Sequence, residues 1–268
     1  MNCTNGICDA ANPKAIDKVN VWQEDFLIRF GAIDRSDRMT LDAVFEFFQE
    51  AAICHAENLG VGREDMAQTG QAWVLSRMSV VVDRRPKYTE TVTVRSWPCS
   101  YEKLFAIRNY QIVDKDGKAV VSARSGWLIV DIEKRRPLRP QIVMDNMPKN
   151  EGLDALPPEA NGAAGLAERD NLKEVACRKP CYTDLDYNKH VNNVRYIQWI
   201  EDTLELQLLE KADKMRLDIN YMNEIVEGET IEILCAPIED VSVTHAFAFE
   251  GRDKESKKTA FRAELRLW

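Results

Sequence analysis

The sequence is poor in histidine and has no long apolar run. Its 268 residues include three histidines, and none of its seven cysteines belongs to a CxxC pair, which argues against a zinc ribbon or a zinc finger. No segment approaches the roughly 18 apolar residues of a membrane helix, and residues 1–18 lack the apolar core of a secretory signal. We therefore expect a cytoplasmic protein with free thiols and no membrane span.

An excess of positive charge is also lacking. The net charge is -8 and the pI is about 5.1, which argues against nucleic acid as the main ligand, because phosphate binding needs a clustered positive surface. The chain has no glycine-rich phosphate loop and no G-x-S-x-G nucleophile motif. Nothing in it requires a cofactor or a metal, so we expect neither.

Two of the three histidines occupy apolar faces of predicted elements. His55 lies in a helical pattern, and His245 shares strand parity with Val243 and Phe247. Such positions favour packed, hydrogen-bonded histidines over reactive ones. The third, His190, lies in a polar segment and is the candidate for chemistry.

The pattern of apolar residues occurs twice along the chain. The first half predicts a strand at 19–30, a helix at 41–59 between the N-cap Thr40 and the stop Gly60, and then strands up to Asp131. The second half predicts a strand at 174–181, a helix at 192–211 and strands from 216 to 268. A long helix followed by sequential antiparallel strands is an α+β unit, and its recurrence predicts a duplicated one.

A stretch rich in proline, glycine and alanine separates the two halves and is typical of a linker. The sequence therefore divides into a flexible N-terminus at 1–18, a first domain at 19–134, a linker at 135–172 and a second domain at 173–268.

Polar residues concentrate just before the second-half helix. Asp186, Asn188 and His190 recur at every second position, so an extended backbone would turn them to one side, facing the helix amides. The segment does not match an EF-hand calcium-binding loop, because Lys189 occupies the position that needs glycine and Arg195 the position of the bidentate glutamate. Turn and cap roles explain each residue singly, whereas together they indicate water-based hydrolysis or acid–base chemistry.

The segment from Asp184 to Trp199 resembles the active-site motif of the acyl-acyl carrier protein (acyl-ACP) thioesterases, hotdog-fold enzymes that release fatty acids. The resemblance extends to residues 73–78 and to the strands up to Trp97-Pro98 in the first half, and to residues 220–224 in the second. It implies two tandem hotdog domains, each a long central helix wrapped by an antiparallel β-sheet. The first would bind the acyl chain without a catalytic set, and the second would be catalytic.

Carried over by motif, the family's catalytic residues fall on Asp186, Asn188, His190 and Glu224. Some members place cysteine after that glutamate, but here Ile225 follows, which removes a thiol nucleophile and favours an activated water. We expect Glu224 and His190 to activate the water, Asn188 and helix amides to hold the oxyanion, and Asp186 to position them. Which of Glu224, Asp186 and His190 is the general base stays open.

The resemblance implies acyl carrier protein as the partner. Because that protein is acidic, docking requires local positive charge, and the candidates are residues 84–87, residues 134–139 and Arg178-Lys179. The acyl chain is expected between the 41–59 helix and the first-half strands. Three alternatives remain: a hotdog acyl-CoA thioesterase, a non-catalytic acyl-binding regulator, and a dehydratase or hydratase. The fused repeats should pair within one chain and bury their sheet edges; a further homodimer and the preferred chain length are left open.

Overall fold

The computed structural model describes residues 18–158 and 162–268, with the backbone alone at Ala164. The N-terminal segment predicted to be flexible lies outside these ranges, apart from Lys18. Within them, no helix is long and apolar enough to cross a membrane, and the five described cysteines are free thiols.

The first repeat is a long helix against an antiparallel sheet. Helix α1 begins after Thr40, whose side chain accepts from the Ala43 amide at 3.4 Å, and ends at Gly60 in the left-handed region (φ 72°), as predicted. Its buried face packs on the strands. The elements of this repeat are β1 (Trp22–Leu27), α1 (Leu41–Leu59), α2 (Arg63–Gln68), β2 (Gln71–Val82), β3 (Thr91–Glu102), β4 (Phe105–Val113) and β5 (Ala119–Asp131).

The segment predicted as a linker folds against the first repeat. It contains the short strand β6 (Arg136–Pro137), which pairs with β5, and helix α3 (Gln141–Met144). Its backbone is tied to the sheet because Trp97 Nε1 donates to the Leu153 carbonyl at 2.7 Å, and Asn150 Nδ2 donates to the Pro98 carbonyl at 2.8 Å.

The second repeat has the same plan with a shorter, interrupted helix. The single helix predicted at 192–211 is wrong: it breaks after Glu201, where Thr203 Oγ1 donates to the Ile200 carbonyl at 2.7 Å and Glu205 is extended. Apolar residues pack against the core on both sides of the break, Ile200 before it and Leu204 and Leu208 after it, so apolar spacing alone does not reveal the break. The elements are β7 (Lys173–Arg178), α4 (Asn193–Glu201), α5 (Leu206–Lys211), β8 (Met215–Tyr221), β9 (Ile231–Pro237), β10 (His245–Asp253) and β11 (Thr259–Leu267).

The two repeats share one antiparallel sheet. The strands lie in the order β1-β3-β4-β5-β2-β8-β11-β10-β9-β7, so the repeats join where β2 pairs with β8, from Arg77 opposite Asn220 to Val82 opposite Met215. Helices α1 and α4 pack against each other, and one apolar core runs through both repeats. This is the predicted tandem hotdog arrangement, in which each repeat covers the other's sheet edge.

The two histidines that the sequence placed on apolar faces, His55 and His245, have different environments. His55 is buried as predicted, with Nε2 2.9 Å from the Val19 carbonyl oxygen and Nδ1 3.1 Å from an Arg108 guanidinium nitrogen. Burial, followed by the charge of Arg108, lowers its pKa to about 4. The prediction for His245 is wrong, because β10 begins at that residue and the expected strand parity does not extend before it; His245 is exposed.

Candidate active site

The loop carrying the predicted residues is a tight turn, not the extended segment that we predicted. Asp186 N donates to the His190 carbonyl at 2.8 Å, and Lys189 N donates to the Asp186 carbonyl at 3.0 Å. Lys189 adopts the left-handed region (φ 63°), which closes the turn. The side chain of Asp186 accepts from the amides of Asn188 at 2.8 Å and His190 at 3.3 Å. Asp186 therefore holds both neighbours through their backbone.

Helix α4 starts immediately after this turn. Asn192 is its N-cap, with Oδ1 accepting from the Val194 amide at 2.9 Å. Within the described residues, the Asn193 amide donates to no acceptor. An exposed helix amide carries partial positive charge and suits a negatively charged or polarised oxygen.

Glu224 reaches the turn from the loop after β8. Val191 N donates to the Ile225 carbonyl at 2.8 Å, which ties that loop to the turn. The result is that His190 Nε2 lies 3.4 Å from Glu224 Oε2, with the two side chains 36% and 43% exposed. The other carboxylate oxygen, Oε1, pairs with Arg135 from the turn between β5 and β6. Ile225 is fully buried.

Of the four predicted site residues, Asn188 is the one whose side chain makes no contact with the other three. It is exposed, and within the described residues its side-chain amide makes no hydrogen bond. Its neighbour Tyr187 lies under the guanidinium of Arg63, 3.8 Å from the ring centroid, so α2 of the first repeat contacts the turn. Among the described residues, Asn188 is therefore held only through its backbone amide, by Asp186.

The first repeat contains the same turn at an offset of 152 residues. Asp34 N donates to the Arg38 carbonyl at 2.9 Å, and the Asp34 carboxylate accepts from the Ser36 amide at 2.8 Å. Asp37 is left-handed (φ 64°), as Lys189 is. The structure thus fixes a register that the sequence left undetermined: Ser36 corresponds to Asn188 and Arg38 to His190.

An arginine takes the place of the glutamate in that first-repeat turn. Met39 N donates to the Pro86 carbonyl at 2.8 Å, as Val191 N does to Ile225, so Arg85 corresponds to Glu224. Arg85 is buried, pairs with Asp34 and donates to the Met39 carbonyl at 2.8 Å. Of these two turns, only that of the second repeat therefore has an accessible carboxylate paired with an imidazole.

A small, mostly apolar cavity adjoins the start of α4. It lies between the two helices and the first-repeat sheet. Asn193 and Val194 form one end, and first-repeat side chains line the rest: Phe45, Phe48, Gln49, Leu75, Met78, Tyr110 and Trp127. This is the space between the 41–59 helix and the first-half strands that the sequence predicted for an acyl chain.

Sequence reasoning missed three features of the site. It treated Arg135 as a docking candidate and did not foresee its pairing with Glu224, and it singled out neither Gln49 nor the buried Tyr196. Burial raises the pKa of Tyr196, whose ring packs edge-on against Tyr221 at 5.2 Å between centroids. Aligning the two repeats would have directed attention to Gln49. Within residues 18–158 and 162–268, no group of three or more His, Cys, Asp or Glu side chains could hold a metal ion.

Fold and site together define a tandem hotdog protein with an accessible polar centre at a helix start in its second repeat. Two family models match the chain: residues 19–147 match the acyl-ACP thioesterase N-terminal domain, and residues 167–265 match the acyl-ACP thioesterase C-terminal domain. The chain belongs to the acyl-ACP thioesterase family.

Curated relatives of this chain include plant enzymes. A chloroplastic palmitoyl-acyl carrier protein thioesterase of Cuphea hookeriana is 27% identical over 226 residues, which is 81% of this chain and 54% of that protein. The chloroplastic oleoyl-acyl carrier protein thioesterase 1 of Arabidopsis thaliana is 23% identical over 248 residues, 86% of this chain and 67% of that protein. The chain thus spans about half the length of the Cuphea relative.

Solved structures share the fold. An acyl-ACP thioesterase from Bacteroides thetaiotaomicron superposes with a TM-score of 0.78 at 23% identity, covering 93% of this chain and 98% of that one. The 12:0-ACP thioesterase from Umbellularia californica has a TM-score of 0.78 at 21% identity, with the same coverage. These likenesses confirm the tandem hotdog architecture.

Proposed function

We propose that this protein hydrolyses the thioester of a fatty acyl group carried on acyl carrier protein and releases the free fatty acid. The observation that carries the proposal is that His190 Nε2 lies 3.4 Å from Glu224 Oε2, at the turn that precedes the start of α4. Family membership supports the same substrate.

In the proposed mechanism, Glu224, assisted by His190, accepts a proton as a water oxygen bonds to the thioester carbonyl carbon. The carbonyl oxygen becomes an oxyanion, to which Asn188 and the Asn193 amide donate. Collapse of this intermediate breaks the carbon–sulfur bond, and the proton passes to the leaving thiolate. The products are a carboxylic acid and a thiol. Asp186 keeps the turn in shape through the amides of Asn188 and His190.

The first repeat takes the acyl chain in this proposal. Seven of its residues line the apolar cavity that ends at Asn193, whereas its own turn is closed by Arg85. The division into an acyl-binding domain at 19–134, a linker at 135–172 and a catalytic domain at 173–268 is part of the proposal. So is a cytoplasmic location.

The test is an assay of thiol release. Purified protein is incubated with acyl-ACP and acyl-CoA thioesters of several chain lengths, and free thiol and fatty acid are followed. We expect release from acyl-ACP with the higher kcat/KM. No thiol release from any thioester would overturn the proposal. A preference for acyl-CoA would identify CoA, not acyl carrier protein, as the carrier of the substrate. Proton exchange at carbon without thiol release would indicate a dehydratase or hydratase.

Filling the cavity should shorten the accepted chain. Leu75 is buried and lines the cavity, so Leu75→Trp is expected to lower kcat/KM for long acyl chains by about tenfold or more relative to medium ones. Val74, on the opposite face of β2, is 42% exposed, so Val74→Trp is the control and should leave the ratio unchanged. A parallel loss for all chain lengths in a folded Leu75→Trp protein would contradict this role.

The exposed side chains of Arg136 and Arg139, here called the basic rim, are the best of the predicted docking patches, since the neighbouring Lys134 pairs with Asp131. Arg85 is buried, Arg84 pairs with Glu90, and Arg178 pairs with Asp202. The basic rim is exposed and lies close in sequence to Arg135, and Arg135 contacts Glu224. An acidic carrier on the basic rim would therefore place its thioester near the site.

Charge reversal tests the basic rim. We expect Arg136→Glu with Arg139→Glu to raise KM for acyl-ACP by about tenfold at low salt and to weaken its salt dependence, with little effect on acyl-CoA. The matched control is Lys115→Glu with Lys118→Glu, which makes the same charge change at exposed positions in the β4–β5 turn. Equal effects on acyl-ACP and acyl-CoA would exclude the basic rim as the docking surface.

A further inference from the structure

Helices α1 and α4 pack antiparallel, with the end of α4 near the start of α1 and the start of α4 near the middle of α1. Gln198 Nε2 of α4 donates to Asp42 Oδ2 of α1 at 2.7 Å. The turns before both helices match at an offset of 152 residues, so residues 193–201 of α4 correspond to residues 41–49 of α1. Leu41 corresponds to Asn193, and Asp42 to Val194.

At the start of α1, a side chain from the partner helix occupies the free amides. Glu201, at the end of α4, accepts from the Leu41 amide at 3.1 Å and from the Asp42 amide at 3.2 Å. The molecule itself therefore shows that the first amides of a helix in this setting bind a carboxyl group. In the first repeat, Glu201 at the helix start and Arg85 at the turn leave no room for a substrate oxygen.

The counterpart of Glu201 in the other repeat is Gln49, at the same offset. Gln49 lines the apolar cavity together with Asn193 and Val194, the counterparts of the two amides that Glu201 occupies. It is partly buried, and within the described residues its side-chain amide makes no hydrogen bond. The Gln49 side-chain amide therefore lies on the wall of an apolar cavity that also includes the start of α4, and it has no hydrogen-bond partner among the described residues. A substrate oxygen could be that partner.

The difference in chemistry between glutamate and glutamine matches the difference between the two helix starts. A carboxylate at position 49 would occupy the Asn193 amide and repel an oxyanion. The amide of glutamine leaves that donor free and adds its own N–H groups. Because Asn192 already takes the Val194 amide, at 2.9 Å, the α4 start offers fewer backbone donors than the α1 start.

We propose that Gln49, contributed by the first repeat, is a further catalytic residue; this inference rests on the proposed function. Its side-chain N–H donates to the thioester carbonyl oxygen alongside the Asn193 amide. The oxyanion site would then be built from both repeats, which explains why the catalytic repeat is fused to one that lacks the reactive groups.

The first test is kinetic. Gln49→Ala is expected to lower kcat by about 10²-fold with KM changed less than about threefold, the usual effect of removing one oxyanion donor. Gln49→Glu should lower kcat at least as much, because it recreates the carboxyl group seen at Glu201. The control is Glu50→Ala at the adjacent, exposed helix position, which should hydrolyse normally.

The second test separates contact with the carbonyl from a packing role. Two non-hydrolysable acyl-ACP analogues are compared by binding: a ketone, with CH₂ in place of sulfur, and a thioether, which lacks the carbonyl oxygen. Gln49→Ala should weaken binding of the ketone by about tenfold and leave the thioether unchanged. Equal weakening of both analogues, or a folded Gln49→Ala protein with kcat within about threefold of the parent, would overturn the inference. Absence of thiol release by the parent protein would instead overturn the proposed function, and the analogue comparison would still decide whether Gln49 contacts the carbonyl.

Discussion

Replacing Glu224 with glutamine is expected to lower kcat for acyl-ACP hydrolysis by about 10²- to 10⁴-fold. Glutamine keeps the size of the side chain, but its amide cannot accept a proton from water. The carboxylate lies 3.4 Å from His190 and is 43% exposed, so the substitution leaves the core intact. Steady-state thiol release measures the effect, and unfolding in urea checks that the variant is folded.

The control for this variant is Glu227→Gln in the same loop, at an exposed position. It makes the same chemical change away from His190 and should hydrolyse normally. Asp186→Ala and His190→Ala should each lower the rate substantially if the set acts together. Near-normal hydrolysis by folded Glu224→Gln, Asp186→Ala and His190→Ala proteins would show that the reaction occurs elsewhere.

The second large effect concerns stability. Burial, followed by the charge of Asp42, raises the pKa of Glu201 from 4.5 to about 8. A carboxyl group whose pKa is higher in the folded than in the unfolded state contributes stability that is fully present below the unfolded pKa and is lost as the pH rises through the folded value. The free energy of unfolding should therefore fall by about 3 to 4 kcal/mol between pH 5 and pH 8, because the slope reaches about 1.4 kcal/mol per pH unit only in the middle of that range.

Glu201→Gln should remove this pH dependence because glutamine does not ionise. The variant is expected to be less stable than the parent near pH 5, where it loses hydrogen bonds to the α1 amides, and more stable near pH 9. Urea unfolding at several pH values measures both, with Glu205→Gln at an exposed position as control. Parallel stability curves for the parent and Glu201→Gln would show that Glu201 is not the titrating group.

Much of the fold was predictable because it is encoded over short distances. The N-cap Thr40, the stop Gly60 and the three- and four-residue spacing between them set the ends of α1. The turn and cap residues before α4 likewise indicated the candidate site. Prediction failed where local signals compete. The Thr203 hydroxyl bonds to a backbone carbonyl where α4 ends, although leucines continue beyond it. Strand parity assigned His245 to an apolar face, but β10 begins only at that residue.

The sequence by itself determined the repeated plan and the composition of the second turn, since each depends on neighbours along the chain. Tertiary structure alone decided which turn is open. The turns at Asp34 and Asp186 have nearly the same backbone hydrogen bonds, and they differ in what a distant strand end and the opposite helix bring to them. Arg85 and Glu201 close the first, whereas Glu224 and Gln49 meet the second. Those contacts join residues far apart in sequence, and they become visible only when β2 pairs with β8 and α1 packs against α4.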